Sequence, residues 1–263
     1  MKKFNKKSNN SHQLWENAVS SGGELFSAQT LFLESKSGAE AHLQEIPSEH
    51  GIFRGFVRPT PPDYVLYFFE NSQNLFFVDV GANDGVSWSN SAALERYLGW
   101  DGICIEPNPN THERLKSVRK CLCLNKCISS AEKELIFRNI TGSWHGSSGL
   151  LDFFEQGTID EIEKEVASGN STYQDIKLTT STLSSVLKQN KVEHINYLSI
   201  DCEGADFEVL QSLDFNEHQP DLISIEFNHK KGRDCDKKAT NILESAGYQA
   251  IEQVCGDRFF AKQ

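Results

Sequence analysis

The chain has 263 residues, of which 38% are hydrophobic and 24% charged, a balance that suits a globular protein and excludes a disordered one. That length holds one substantial α/β domain with an extension, not two full domains. A formal net charge of −11 repels a polyanion, so nucleic acid is not expected as a partner.

Lys2, Lys3, Lys6 and Lys7 open the chain like a signal peptide, but Asn, Ser and Gln follow where an apolar stretch would be needed. A disordered polar tail is expected there. With no run of about 20 apolar residues, the expectation is a cytoplasmic chain without a membrane span. Residues 1–60 read as an N-terminal extension of unassigned fold. The breaker Pro59-Thr60-Pro61-Pro62 marks the entrance to one domain over 61–263. Asp63 is placed to cap a short helix carrying Tyr64, Val65, Leu66, Phe68 and Phe69.

From Leu75 the pattern becomes regular. Leu75-Phe76-Phe77-Val78-Asp79-Val80 reads as a buried parallel strand, followed by a glycine-bearing loop over 81–85 and a helix over 87–98. Gly102-Ile103-Cys104-Ile105-Glu106 gives a second strand, 107–118 a helix and 121–128 a third strand. This alternation predicts βαβ units and an α/β fold with a mostly parallel sheet. Residues 132–174 break the rhythm: Leu135-Ile136-Phe137 is a candidate extra strand, 143–149 a loop and 155–166 an acidic helix. The alternation then resumes, with helices expected over 183–189, 205–213 and 237–246 and strands over 195–201 and 222–227. Gly247 stops the last helix, and a strand pair over 248–254 and 258–261 closes the chain. The cysteines include no C-x-x-C pair and read as reduced core thiols; Cys121, Cys123 and Cys127 fit strand positions better than a metal site.

Ligands of open α/β sheets bind beyond the carboxyl ends of the strands, where Asp79-Val80-Gly81-Ala82-Asn83-Asp84-Gly85 would lie. Asn83 stands where the dinucleotide fingerprint needs its second glycine, and the third is absent. A ligand without phosphate, S-adenosylmethionine, suits this loop better, with Asp79 facing its cationic methionyl end. Glu106, about 20 residues beyond Gly85, is placed to accept hydrogen bonds from both ribose hydroxyls.

Three blocks together carry a specific likeness: Phe77 to Gly85, Gly102-Ile103-Cys104-Ile105-Glu106-Pro107-Asn108-Pro109, and Tyr197-Leu198-Ser199-Ile200-Asp201-Cys202-Glu203-Gly204-Ala205-Asp206. In order and spacing they resemble the FkbM family of S-adenosylmethionine-dependent methyltransferases, over about residues 62–260. The resemblance implies a seven-stranded class I methyltransferase (Rossmann-like) sheet with helices on both faces. It also implies methyl transfer to a hydroxyl, often on a sugar or glycan. Asp79, Gly81, Asn83 and Gly85 would then hold the methionine end of the cofactor, Glu106 the ribose, and Ile128 with Ser129 the adenine. Ser184 and Ser199 depart from the acid and the lysine usual at those two positions of the family.

Methyl transfer is an in-line displacement, and an alcohol must also lose a proton to a base or to a metal-bound group. Asp201 and Glu226 end adjacent predicted strands and face the expected crevice. Oxygen ligands of this kind suit Mg²⁺, and macrolide-sugar methyltransferases, by analogy, carry metal-binding acids at these two strand ends. The alternative is that Asp201 accepts backbone amides at the start of the helix after Gly204, while Glu226 pairs with a Lys or Arg. Candidate bases are Asp201, His145 in the Ser- and Gly-rich loop beside Trp144, and His229, although a lone histidine is more often a surface or hydrogen-bonded residue than a catalyst.

The expected partner is a small-molecule or glycan acceptor. Stretches 1–60 and 132–175 are candidates for shaping its pocket and for the contacts of a homodimer. Two alternatives stay open: a nicotinamide-dependent oxidoreductase on the same architecture, and a ligand-binding member of the fold without catalysis.

Overall fold

The computed structural model describes residues 60–227 and 234–263. Thr60 begins its first element: the Thr60 backbone N–H and hydroxyl both donate to Asp63 Oδ2, at 2.7 Å each. Pro61 and Pro62 occupy the first turn, where no N–H is required, and start α1 (Pro61–Phe68). Asp63 therefore acts from inside the first turn, with Thr60 rather than Asp63 at the cap. Tyr64 lies 4.7 Å from Phe259, centroid to centroid, which ties this helix to the last strand.

Strands β1 (Phe76–Val80) and β2 (Asp101–Ile105) pair in parallel, as do β2 and β3 (Leu122–Leu124). On the other side of β1 lie β8 (Tyr197–Ile200) and β9 (Leu222–Glu226), also parallel. The hairpin of β10 (Tyr248–Val254) and β11 (Asp257–Lys262) joins β9 through antiparallel β11. The order is β3-β2-β1-β8-β9-β11-β10, with β11 alone running against the rest. This is the mostly parallel seven-stranded sheet that the resemblance implies.

Strand alternation sorts the core into two layers. Val78, Val80, Leu198, Ile200, Ile223 and Ile225 pack against α5 (Leu183–Gln189), α6 (Asp206–Gln211) and α7 (Asp234–Ser245). Phe77, Cys104, Tyr197 and Phe259 face the opposite way, against α1, α2 (Ala92–Leu98) and α3 (Pro109–Val118). Helices thus cover both faces, as the apolar runs require.

Three expectations fail locally. Helix α2 begins at Ala92, not Ser87, because Asn83, Gly85 and Trp88 adopt positive φ of 49°, 78° and 58° and Ser89 Oγ accepts the Ala92 N–H at 3.0 Å. The third strand stops at Leu124, because the Asn125 amide donates to the Glu106 and Pro107 carbonyls (2.8 and 3.1 Å) and turns the chain away. Ile128 therefore belongs to β4 (Cys127–Ile128), and β4 pairs with β7 (Ser171–Ser181) in a second sheet. Ile128 and Ser129 do not end the third strand, contrary to expectation.

That second sheet, of order β4-β7-β5-β6, includes β5 (Glu134–Gly142) and β6 (Gly149–Leu150). The long strand β7 was not foreseen. Arg138 of β5 grips Asp175 of β7 through two 2.8 Å bonds and lies 3.8 Å over the Tyr173 ring. The acidic helix α4 (Gln156–Ala167) stands between β6 and β7 in the chain. Phe137 and Leu150 pack with Ala205, so the second sheet sits over the carboxyl end of the first.

Candidate active site

The chain runs outward from β1 through β2 and β3, then returns to β8 on the other flank of β1. Sheet order reverses between β1 and β8, which opens a crevice at their carboxyl ends. Gly81 stands at that point with φ +88°, and a Cβ there would lie 1.7 Å from the Asp201 carbonyl oxygen. Only glycine fits this approach of the two strand ends.

A cavity of about 470 Å³ fills the crevice, inside the roughly 300–1,000 Å³ range of small-molecule sites. Its floor includes Asp79, Gly81, Asn83 and Glu106, and its walls include Ile128, His145, Asp201 and Glu226. The structure thus brings together most of the residues singled out from the sequence. Gly85 and Ser129 do not line it. The Cβ position of Gly85 is blocked by Leu115 Cδ1 (2.6 Å) and Arg119 Cγ (2.9 Å), so this glycine packs the loop onto α3. Ser129 is buried and its N–H bonds the Ser181 carbonyl at 3.0 Å. His229 lies outside the described residues.

Glu106 is nearly buried, and each of its oxygens already accepts one backbone amide: Oε2 from Asn83 at 2.9 Å and Oε1 from Asn108 at 2.7 Å. Burial pushes its carboxyl up to about 7, against the pull of those amides. A carboxylate oxygen has two lone pairs, so both oxygens retain an acceptor site. Asn108 also caps α3, accepting the Asn110 and Thr111 amides, and its own amide donates to the Ile140 carbonyl and Ser148 Oγ. One residue thereby fixes Glu106, the helix start and the second sheet.

Asp79 is likewise buried, and burial raises its carboxyl above the ordinary range, while a bond from Ser91 and the charge of Arg119 act against the shift. On the facing side, Asp201 is raised well above the ordinary range by burial, then by the neighbouring carboxylates of Glu226, Asp257, Glu203 and Asp206. Burial, then the carboxylates of Glu226 and Asp206, push Glu203 up to about 8. The amides after β8 are not taken by Asp201: Cys202 and Gly204 donate to Asp206, at 2.7 and 3.1 Å. Asp201 is left to face the cavity. A site this rich in carboxylates suits a cationic ligand.

His145 sits in a 3₁₀ turn (His145–Ser147) of the segment that roofs the cavity. Its Nδ1 lies 3.1 Å from the Gly142 carbonyl, which can only accept, so Nδ1 carries a proton. The Nε2 atom is buried without a hydrogen-bond partner, 4.0 Å from Asp84 Oδ2. Burial works against the Asp84 charge, but amides of Val86 and Ser87, the Ser87 hydroxyl and Arg114 outweigh it and hold that carboxyl below the ordinary range.

Among the described residues, no set of three or more His, Cys, Asp or Glu side chains is arranged to hold a metal ion. The Mg²⁺ expectation on Asp201 and Glu226 gains no support from that donor geometry. Sequence reasoning also missed cavity residues. Asn90, whose amide donates to Ser199 Oγ at 3.1 Å, and Trp88, 73% exposed at the rim, were assigned to a helix. The Ser-Trp-Ser-Asn-Ser composition of 87–91, poor in helix formers, was the available signal. No helix among the described residues is long and apolar enough to cross a membrane.

A model of the methyltransferase FkbM domain matches residues 79–250. Among solved structures, a methyltransferase FkbM from Methylobacillus flagellatus KT superposes with a TM-score of 0.44 at 13% identity, over 73% of this chain and 44% of that one. The chain thus spans less than half the length of that protein. A precorrin-6y C5,15-methyltransferase from Geobacter metallireducens GS-15 gives 0.37 at 13% identity, over 76% of this chain and 84% of that one. A TehB-like SAM-dependent methyltransferase from Corynebacterium glutamicum ATCC 13032 gives 0.37 at 10% identity, over 78% and 88% respectively. No curated protein matches the chain.

Proposed function

The chain belongs to the FkbM family of methyltransferases, and from that premise we propose that it methylates a hydroxyl of a sugar, glycan or small metabolite in the cytoplasm, using S-adenosylmethionine. One observation carries this reading: a single cavity at the switch point has Asp79, Gly81 and Glu106 on one side and Asp201 on the other. When bound, S-adenosylmethionine supplies an electrophilic methyl group on a sulfonium.

Glu106 would accept the ribose hydroxyls on the lone pairs that the Asn83 and Asn108 amides leave open. Asp79 would face the methionyl ammonium, with Gly81 and Asn83 presenting backbone beside it, and Ile128 would lie against the adenine. Asp201 is the proposed general base. Burial and the neighbouring carboxylates raise its proton affinity, so once ionised beside the cationic cofactor it would take an alcohol proton more readily than an ordinary carboxylate. His145 is the less suitable base, because its Nε2 lies beneath the cavity surface. Together with Trp144, the turn at His145 would exclude water and offer a flat apolar wall to a sugar face.

The experiment is calorimetric titration of the full chain with S-adenosylmethionine, S-adenosylhomocysteine and NADH, followed by a transfer assay on hydroxylated acceptors with Asp201→Asn. The expected result is binding of the two adenosyl ligands alone, and a variant that still binds them but transfers no methyl group. Binding of NADH in their place would sink the cofactor, and undiminished turnover by Asp201→Asn would remove it as the base.

A further inference from the structure

Directly beneath Asp79, on the face of β1 turned toward α2 and α3, lies a buried polar relay that the mechanism above does not use. Arg119, the residue that follows α3, is buried with its guanidinium among four partners. Its Nε donates to Glu95 Oε2 at 3.0 Å, Nη2 to Ser91 Oγ at 3.0 Å, and Nη1 to Ser89 Oγ at 3.3 Å and the Gly85 carbonyl at 3.4 Å. All four partners belong to the loop after β1 or to α2, which that loop leads into. Helix α3 thereby grips the loop from below.

The direction of the relay is fixed by chemistry. A guanidinium has donors only, so the Ser91 oxygen must accept from Arg119. The single Ser91 proton then goes to Asp79 Oδ2. Among the described residues Asp79 Oδ1 takes no hydrogen bond, and Asp79 lines the cavity. Chains of bonds polarised in one direction strengthen one another.

We infer that Arg119 is a positioning residue for the methionyl end of the cofactor, acting through Ser91 to hold the Asp79 carboxylate in one orientation with Oδ1 presented to the cavity. The relay favours the charged form of an acid whose burial works against it. This inference rests on the proposed cofactor. It goes further in assigning a function to two residues outside the cavity and in dividing cofactor recognition into separable halves: Asp79 with its relay for the amino-acid end, Glu106 for the ribose.

Two probes separate the halves. S-adenosylhomocysteine carries the amino-acid end, and 5′-methylthioadenosine lacks it. In the full chain, Ser91→Ala and Arg119→Met are each expected to weaken S-adenosylhomocysteine binding about ten- to a hundredfold, as loss of a bond to a charged group does. Their affinity for 5′-methylthioadenosine should stay within about twofold of the parent. Arg119→Lys should behave like Arg119→Met, because an ammonium cannot reproduce the guanidinium fork. Since Arg119→Met removes a buried ion pair and can fail to fold, the decisive variant is Ser91→Ala, which leaves the Arg119–Glu95 pair in place. In an Asp79→Ala background, Ser91→Ala should cause no further loss. Equal weakening of both ligands, or full additivity with Asp79→Ala, would reduce the relay to general scaffolding and overturn the inference. A parent protein that binds neither ligand would overturn the cofactor reading, and this inference with it.

Discussion

Glu106 joins two demands in one side chain: it orders the loop and helix start through the Asn83 and Asn108 amides, and it faces the cavity. Replacing it by Ala should weaken S-adenosylmethionine binding by at least about 2 kcal/mol, measurable by calorimetry, since charge-assisted bonds are worth about 1.5–3 kcal/mol each. Because burial holds the Glu106 carboxyl at about 7, the acceptor form is lost on acidification through that value. Cofactor affinity should therefore fall as pH drops below about 7, and Glu106→Gln should flatten that dependence. Glu106 and Asp79 were legible in the sequence because an acid ending an apolar run is conspicuous, and strand ends are where α/β sheets bind ligands. Gly85 keeps a positive φ of 78°, but its Cβ position points onto Leu115 and Arg119 and the residue does not line the cavity. Ser91 and Arg119 left no trace in the sequence, since nothing local to either residue brings them to Asp79.

At the level of elements, Gly81, by lacking a side chain, and Asn108, by its amide, decide how segments meet. Gly81→Ala would drive a methyl group into the Asp201 carbonyl, in a backbone conformation unfavourable to any side chain. Loss of cofactor binding and a fall in thermal midpoint are both expected, read by titration and by calorimetric melting. Asn108→Ala removes a helix cap and two links to the second sheet, which should cost about 1–2 kcal/mol in denaturant unfolding. A loss below about 0.5 kcal/mol would show that the cap and the links carry little weight. Strands β1, β2, β8 and β9 could be read from the sequence because, buried on both faces, they leave continuous apolar runs. Strand β7 could not: Ser171-Thr172-Tyr173-Gln174-Asp175 is polar on both sides, and its pairing with β5 is fixed by cross-strand contacts such as Arg138 with Asp175. Helix α2 was drawn too long because left-handed residues at 83 and 88 carry no glycine to announce them.

For the whole molecule the raised carboxylates act together. Asp63, Glu106, Asp206 and Asp257 are pushed up to about 7 and Glu203 to about 8, in each case chiefly by burial. The folded chain keeps protons there that the unfolded chain releases near the ordinary carboxylate range. Stability from these groups is present in acid and lost as pH rises through their folded values. The thermal midpoint of the ligand-free protein should fall from about pH 5 to about pH 8, and saturating S-adenosylmethionine should shrink that fall by adding positive charge to the cavity. A midpoint that rises over the same interval would show that these acids are ionised in the folded state at little cost. A different consequence follows from the narrow neck of the second sheet, where Cys127 and Ile128 pair in parallel with Thr180 and Ser181. Everything between those pairs is one uninterrupted excursion from the seven-stranded sheet, zipped shut at its base. The roof of the cavity is thus one continuous length of chain, closed at its base by the β4–β7 pairing and held onto the first sheet by Asn108 and Ala205.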